Sequence, residues 1–74
     1  MGVEERYDYH VGHLPDGEDG FVGTVAEFPS LSWVAPTEKG ALEGIRMVVR
    51  EVLRDMAVCG ETPPRPIRDM AARA

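Results

Sequence analysis

The 74-residue sequence predicts an α+β domain in which one long helix packs on a three-stranded antiparallel meander. Three observations lead to this fold class. Apolar residues recur at helical spacing over residues 37–60, period-two segments rich in aromatic and β-branched residues precede them, and short turns containing Pro and Gly separate these segments. Because a single helix cannot bury its own apolar side, the strands have to supply the surface on which it lies.

The helix is predicted by an apolar stripe that lies between a start signal and a stop signal. Its members, which share one side of a helix of about 3.6 residues per turn, are Ala41, Leu42, Ile45, Val48, Val49, Val52, Leu53 and Met56. Thr37 is a good N-cap because its hydroxyl accepts a free backbone N–H, and Gly60 suits the left-handed residue that ends a helix. Gly40 and Gly44 each cost about 1 kcal/mol relative to Ala, so the first two turns are expected to be frayed or closely packed.

The strands are predicted by period-two alternation and by the turns between them. Residues 7–14 alternate on two faces, residues 21–27 form a second strand, and residues 31–35 form a third. The acidic, Gly-containing turn at residues 15–20 and the turn at residues 28–30 are both short, so neighbouring strands are expected to be antiparallel. The predicted order is β-β-β-α.

The whole chain, residues 1–74, is expected to form one domain. Residues 1–6 are predicted to be a loose N-terminus. Residues 61–74 are predicted to be an extended Pro-rich tail, because a residue that precedes proline is disfavoured in the α region. Residues 67–74 are equally compatible with a short strand, a helical turn or a frayed end.

Composition restricts the class of partner. A net charge of −5 and a pI of about 4.8 argue against direct binding to the phosphate backbone of nucleic acids and favour a basic partner. The single Cys59 excludes an internal disulfide and fits a reducing compartment. No apolar run is long enough to span a membrane, and the acidic N-terminus lacks a signal-peptide pattern, so a cytoplasmic location is expected. The small core and open sheet edges predict a homodimer or a larger homo-oligomer.

The second predicted strand is apolar on both faces, which bears on function. Phe21 and Val25 occupy one face, whereas Val22 and Ala26 occupy the other. A sheet that is solvated on one side normally alternates apolar and polar residues, so the second face is a candidate for contact with another chain. The alternative is that Val22 and Ala26 are tolerated on a solvated face, since strands favour β-branched residues.

The order and spacing of several short motifs over residues 7–66 resemble the HicB antitoxin family. The matching pieces are Asp19-Gly20-Phe21-Val22, Glu27-Phe28-Pro29-Ser30-Leu31-Ser32-Trp33, Thr37 with Ala41-Leu42, and Gly60-Glu61-Thr62-Pro63-Pro64. The resemblance implies a partial ribonuclease-H-like fold. It also implies a role in binding and neutralising HicA, a small basic toxin that cleaves messenger RNA. HicB proteins commonly carry a DNA-binding segment after this domain; the sequence stops at Ala74, so DNA binding is not expected here.

Catalytic and metal chemistry find little support in the sequence. A two-metal nuclease needs several converging carboxylates, and the first strand offers only Asp8. The acidic turn lacks the ligand spacing of a calcium loop, and His10 and His13 are predicted to point to opposite faces of a strand. Cys59 has no second thiol and no orienting group. We therefore expect no catalytic residues, no metal and no cofactor.

The sequence thus predicts a non-enzymatic antitoxin of the HicA/HicB type. Its candidate partner contacts are Asp16, Glu18 and Asp19 by charge, and Val22, Trp33 and Val34 by apolar exposure. Trp33 has an alternative role, which is packing under the start of the helix. The alternative functions are an oligomerising or ligand-binding scaffold of HicB fold without a toxin partner, and a metal-dependent nuclease. The row of Arg46, Arg50 and Arg54 is interpreted as a solvated helix face with salt bridges.

Overall fold

The computed structural model of the protein describes residues 3–15 and 19–67 and contains three antiparallel strands packed against one long helix. The elements are β1 (Tyr9–His13), β2 (Phe21–Val25), β3 (Ser32–Ala35) and α1 (Glu38–Cys59). Hydrogen bonds join them in the order β1-β2-β3, so each strand pairs with its neighbour in sequence. The predicted α+β fold class and meander are confirmed.

Both predicted ends of the helix are confirmed. The Thr37 hydroxyl accepts the Gly40 N–H at 3.0 Å, which satisfies one of the free donors of the first turn. Gly60 ends the helix with a φ of 76°, in the left-handed region that glycine adopts without a Cβ penalty. The N–H of Glu61 then donates to the Met56 carbonyl at 2.8 Å, so a terminal carbonyl of α1 is also satisfied.

Helix α1 lies on one face of the sheet and approaches β2 most closely at Gly23. A Cβ added at Gly23 would stand 2.5 Å from the Ala41 carbonyl oxygen and 3.0 Å from Cγ2 of Ile45. Because side chains alternate along a strand and paired residues share a face, the odd-numbered strand residues point towards α1. The even-numbered residues form the opposite face.

The apolar core lies at the end of the sheet where β1 begins and β2 ends. Its fully buried side chains are Tyr7, Val25, Ile45 and Val49, and the partly buried residues packed against them are Val3, Tyr9, Phe28, Leu31 and Leu53. The rings of Tyr7 and Phe28 meet edge to face with centroids 5.7 Å apart.

The observed elements differ from the predicted ones in the N-terminal segment and at four strand ends, since β1 also ends one residue earlier than predicted, at His13. Val3–Arg6 form a 3₁₀ turn, whereas the sequence predicted a loose segment over residues 1–6; residues 1 and 2 lie outside the described part. The N–H of Tyr7 donates to the Glu4 carbonyl, so pairing of β1 starts two residues later than predicted. β2 ends at Val25 and β3 begins at Ser32, because Phe28 and Leu31 close consecutive tight turns between them.

The segment after α1 returns to the core end of the sheet. Residues 61–66 belong to no helix or strand, and Pro66 is buried. The Tyr7 hydroxyl donates to the Pro64 carbonyl at 2.8 Å. The Glu27 carboxylate accepts the Asp8 N–H at 3.0 Å and the Ile67 N–H at 2.8 Å, so one side chain joins the tail to the start of β1. Residues 68–74 of the predicted tail lie outside the described residues.

We expect Gly23→Ala to destabilise the protein by about 1–3 kcal/mol, because its methyl group would displace the backbone of α1. Gly12→Ala is the matched control: it lies on the neighbouring strand, and a Cβ there would meet nothing within 4 Å. Its effect should stay within about 0.5 kcal/mol. Urea unfolding followed by circular dichroism measures both; equal stabilities for the two variants would contradict the close approach.

Burial, reinforced by the nearby charge of Glu27, raises the pKa of Tyr7 from 10.0 to about 12. The folded state binds the proton of the Tyr7 hydroxyl more tightly than the unfolded state does. The free energy of unfolding should therefore fall as pH rises from 10 towards 12. Tyr7→Phe should remove that part of the alkaline loss, while costing about 1 kcal/mol at neutral pH through the lost hydrogen bond to Pro64. Denaturant unfolding at several pH values provides the measurement. Burial also raises the pKa of Tyr9, whose hydroxyl donates to the Glu4 carbonyl, so Tyr9→Phe should remove a smaller part of the alkaline loss. An unchanged alkaline slope in Tyr7→Phe would refute the assignment.

Candidate protein-binding surface

The face of the sheet opposite α1 is the first candidate surface, and we call it the open face. It comprises His10, Gly12, Val22, Thr24, Ser32 and Val34, as the strand register requires. Val22 is directly paired with Gly12 on one side and with Val34 on the other. No helix or second sheet occurs among residues 3–15 and 19–67 to cover this face. Val22 and Val34 form a short apolar strip at the centre of this face, and Val34 is 58% exposed.

The outer edge of β3 adjoins the open face. The strand order β1-β2-β3 leaves β3 with a single neighbour among the described strands. This strand lies within residues 28–37, which contain no Asp, Glu, Lys or Arg. Natural proteins commonly protect exposed edges with charges, bulges or proline inside the strand, and β3 has none of these in its four residues.

Trp33 lies on the other side of the sheet from Val22 and Val34. It is paired with Gly23, so its indole points towards α1 and contacts the helix at Gly44, where an added Cβ would overlap the ring. Trp33 nevertheless remains 38% exposed, because it lies at the edge of the sheet. The structure thus shows Trp33 packed against α1, which was the alternative role considered from the sequence, and separates it from the two valines on the open face.

The acidic turn between β1 and β2 is described only in part. Asp16 and Glu18 fall outside the described residues, and Asp19 is exposed. The Leu14 N–H donates to the Gly20 carbonyl, so the two strands stay paired up to this turn. A Cβ added at Gly20 would stand 3.2 Å from the Ala35 carbonyl oxygen. Asp19, the residue before Gly20, therefore lies near the end of β3.

Asp8, just before β1, and Glu27, just after β2, both have partners within the protein. Asp8 lies 3.3 Å from Nε2 of His10, and both carboxylate oxygens of Glu27 accept backbone N–H groups. No group of three or more His, Cys, Asp or Glu side chains that could hold a metal ion occurs in the described part of the chain. Cys59 is exposed at the end of α1.

The arginine side of α1 carries an open depression, which is the second candidate surface. It has a volume of about 290 Å³ and is lined by Glu43, Arg46, Met47 and Arg50. The Arg46 guanidinium lies 5.9 Å from the centroid of the Tyr9 ring, and Nε of Arg50 lies 3.8 Å from a carboxylate oxygen of Glu4. The acidic partner thus comes from the N-terminal 3₁₀ turn. The helical spacing of the arginines gave no indication of that contact.

Comparisons with protein-family models, with curated proteins and with solved structures find no match. The resemblance to HicB antitoxins therefore stays a prediction from the sequence motifs. In the part of the chain that the structure describes, no helix has both the length and the apolar character needed to cross a membrane.

The contact between Trp33 and Gly44 makes a prediction about stability. Trp33→Ala should cost about 2 kcal/mol or more through lost burial, whereas the exposed Val34→Ala should stay within about 0.5 kcal/mol. Gly44→Ala alone should destabilise the protein, because its methyl group overlaps the indole. In the Trp33→Ala background the same change should stabilise it by up to about 1 kcal/mol, since Ala favours the helix. Chemical denaturation of this double-mutant cycle measures the coupling; strict additivity would contradict it.

Proposed function

We propose that this domain is a non-enzymatic antitoxin module that binds and occludes a small basic mRNA-cleaving toxin of the HicA type. The observation that carries the proposal is the apolar strip of Val22 and Val34 on the open face, which no described helix or strand covers. Asp19, which is exposed shortly before β2, supplies negative charge at the end of the same sheet. The sequence resemblance to HicB antitoxins supplies the identity of the partner.

Charge and apolar area have different tasks in such a complex. The net charge of −5 attracts a basic partner and speeds association, while affinity depends more on the apolar contact at the centre of the interface. Asp19, with Asp16 and Glu18 from the same turn, is suited to the charged rim. Val22 and Val34 are suited to the apolar centre, because they adjoin each other across β2 and β3.

The proposal assigns this protein no catalytic role, cofactor or direct contact with RNA. Occlusion requires only that the bound domain covers the active surface of the toxin. We place the complex in the cytoplasm, where messenger RNA is the substrate of such a toxin. The single Cys59 fits that reducing compartment.

The test uses a small basic toxin of the HicA type, sought first in the gene next to the one that encodes this chain. We expect it to co-purify with this protein and to stop inhibiting growth when the two are co-expressed. Val22→Lys should weaken binding at least about tenfold, because a charge then enters the apolar centre. Val58→Lys is the matched control: it adds the same charge at a valine that is 83% exposed near the end of α1. Calorimetric titration gives the Kd values, and equal losses for both variants would count against the open face.

The acidic turn is tested separately. Replacing Asp16, Glu18 and Asp19 by their amides should slow association several-fold at low salt, with little effect on dissociation, and the difference should shrink as salt rises. Stopped-flow mixing measures both rates. Failure to bind the toxin or rescue growth would favour a scaffold without a toxin partner. Magnesium-dependent RNA cleavage that is abolished by Asp8→Asn would instead establish a nuclease.

A further inference from the structure

We propose that the outer edge of β3 is a self-association site, at which a second copy of this chain pairs antiparallel about a two-fold axis at Trp33. The two sheets then form one sheet of six strands. This inference goes beyond the antitoxin role and does not depend on it. It rests on the direction of the backbone groups of β3 and on the charge distribution along the chain.

The pairing of β1 with β2 establishes which residues of β2 direct their backbone N–H and C=O groups towards β1. The Leu14 N–H donates to the Gly20 carbonyl, and the Ala26 N–H donates to the Asp8 carbonyl. Hydrogen-bonded and non-hydrogen-bonded pairs alternate along an antiparallel ladder. Since these two bonded pairs are separated by an even number of positions, the even-numbered residues of β2 direct their N–H and C=O groups towards β1.

The odd-numbered residues of β2 therefore direct their backbone groups towards β3. Gly23 is paired with Trp33, so Trp33 uses its N–H and C=O within the sheet. By the same alternation, Ser32 and Val34 direct their N–H and C=O groups away from β2. The outer edge of β3 thus presents two donors and two acceptors, placed symmetrically on either side of Trp33.

This arrangement is complementary to itself. When a second copy approaches antiparallel, Ser32 of each chain pairs with Val34 of the other through a hydrogen-bonded pair. The two copies of Trp33 then form the non-hydrogen-bonded pair at the axis, where side chains come closest. Trp33 is 38% exposed at this edge, so its indole has free surface for that contact.

Charge favours a second copy over the basic toxin as the occupant of this edge. Two molecules of net charge −5 repel each other, so they can associate only where the contact is locally neutral. Residues 28–37, which include β3, form the longest stretch without an acidic or basic side chain. The opposite edge of the sheet, β1, carries two histidines and follows directly after Asp8. A four-residue edge makes a small interface, so the dimer should be of the weak, concentration-dependent class.

Sedimentation equilibrium and Trp33 fluorescence test the proposal on the full chain. The mass should rise from monomer to dimer with concentration, and the emission of Trp33, the only tryptophan, should shift over the same range. Ser32→Pro removes an outward N–H at the first residue of an edge strand, where proline is tolerated. Val34→Pro removes the other outward N–H of this edge strand. Each should weaken the dimer at least tenfold, while Val58→Lys, the control far from β3, should weaken it less than threefold.

Circular dichroism and urea midpoints establish that each variant is folded before its mass is measured. A protein that stays monomeric at all concentrations would overturn the proposal. A dimer that resists Ser32→Pro and Val34→Pro, or that Val58→Lys disrupts equally, would overturn it as well. Toxin binding by folded Ser32→Pro is measured in parallel, so that loss of the dimer and loss of the antitoxin role can be distinguished.

Discussion

The close approach of α1 to β2 at Gly23 is the constraint on which the rest of the structure depends. With no side chain at that position, the Ala41 carbonyl and Ile45 lie directly against the strand, and the helix runs over the middle of the sheet. It contacts all three strands from one side. A helix that is needed there to bury Ile45 and Val49 cannot also cover the second face. The open face therefore follows from the way in which this short chain makes its core.

Local signals were sufficient to predict most of the fold. The caps at Thr37 and Gly60 depend on neighbouring backbone groups, and the strand faces depend on period-two alternation, so both can be recognised without knowing the rest of the structure. The contacts that the sequence did not predict join distant residues. Tyr7 bonds to Pro64 across 57 positions, and Glu27 bonds to Ile67 across 40. The sequence separation of two such residues does not indicate that they meet, because loops of very different lengths can bring their ends together.

The candidate site was predictable to a different degree at each residue. Val22 and Val34 were predicted as contacts by apolar exposure, and the register places them side by side on the open face. Trp33 was grouped with them by apolar exposure, yet a shift of one position along a strand turns a side chain to the opposite face. The indole then meets α1 at the one turn where Gly44 leaves room, which explains how a glycine that is unfavourable in a helix interior can contribute to packing.

The two proposed surfaces are geometrically independent. A protein on the open face contacts side chains that stand perpendicular to the sheet, whereas a strand at the edge of β3 uses backbone groups that lie in its plane. Val34 belongs to both surfaces, but its side chain serves the first and its N–H and C=O serve the second. Pairing at the edge would leave Val22 uncovered and would bring two open faces into one continuous sheet. A dimer formed in this way could therefore offer two copies of the apolar strip to its partners, so self-association and partner binding do not compete for the same atoms.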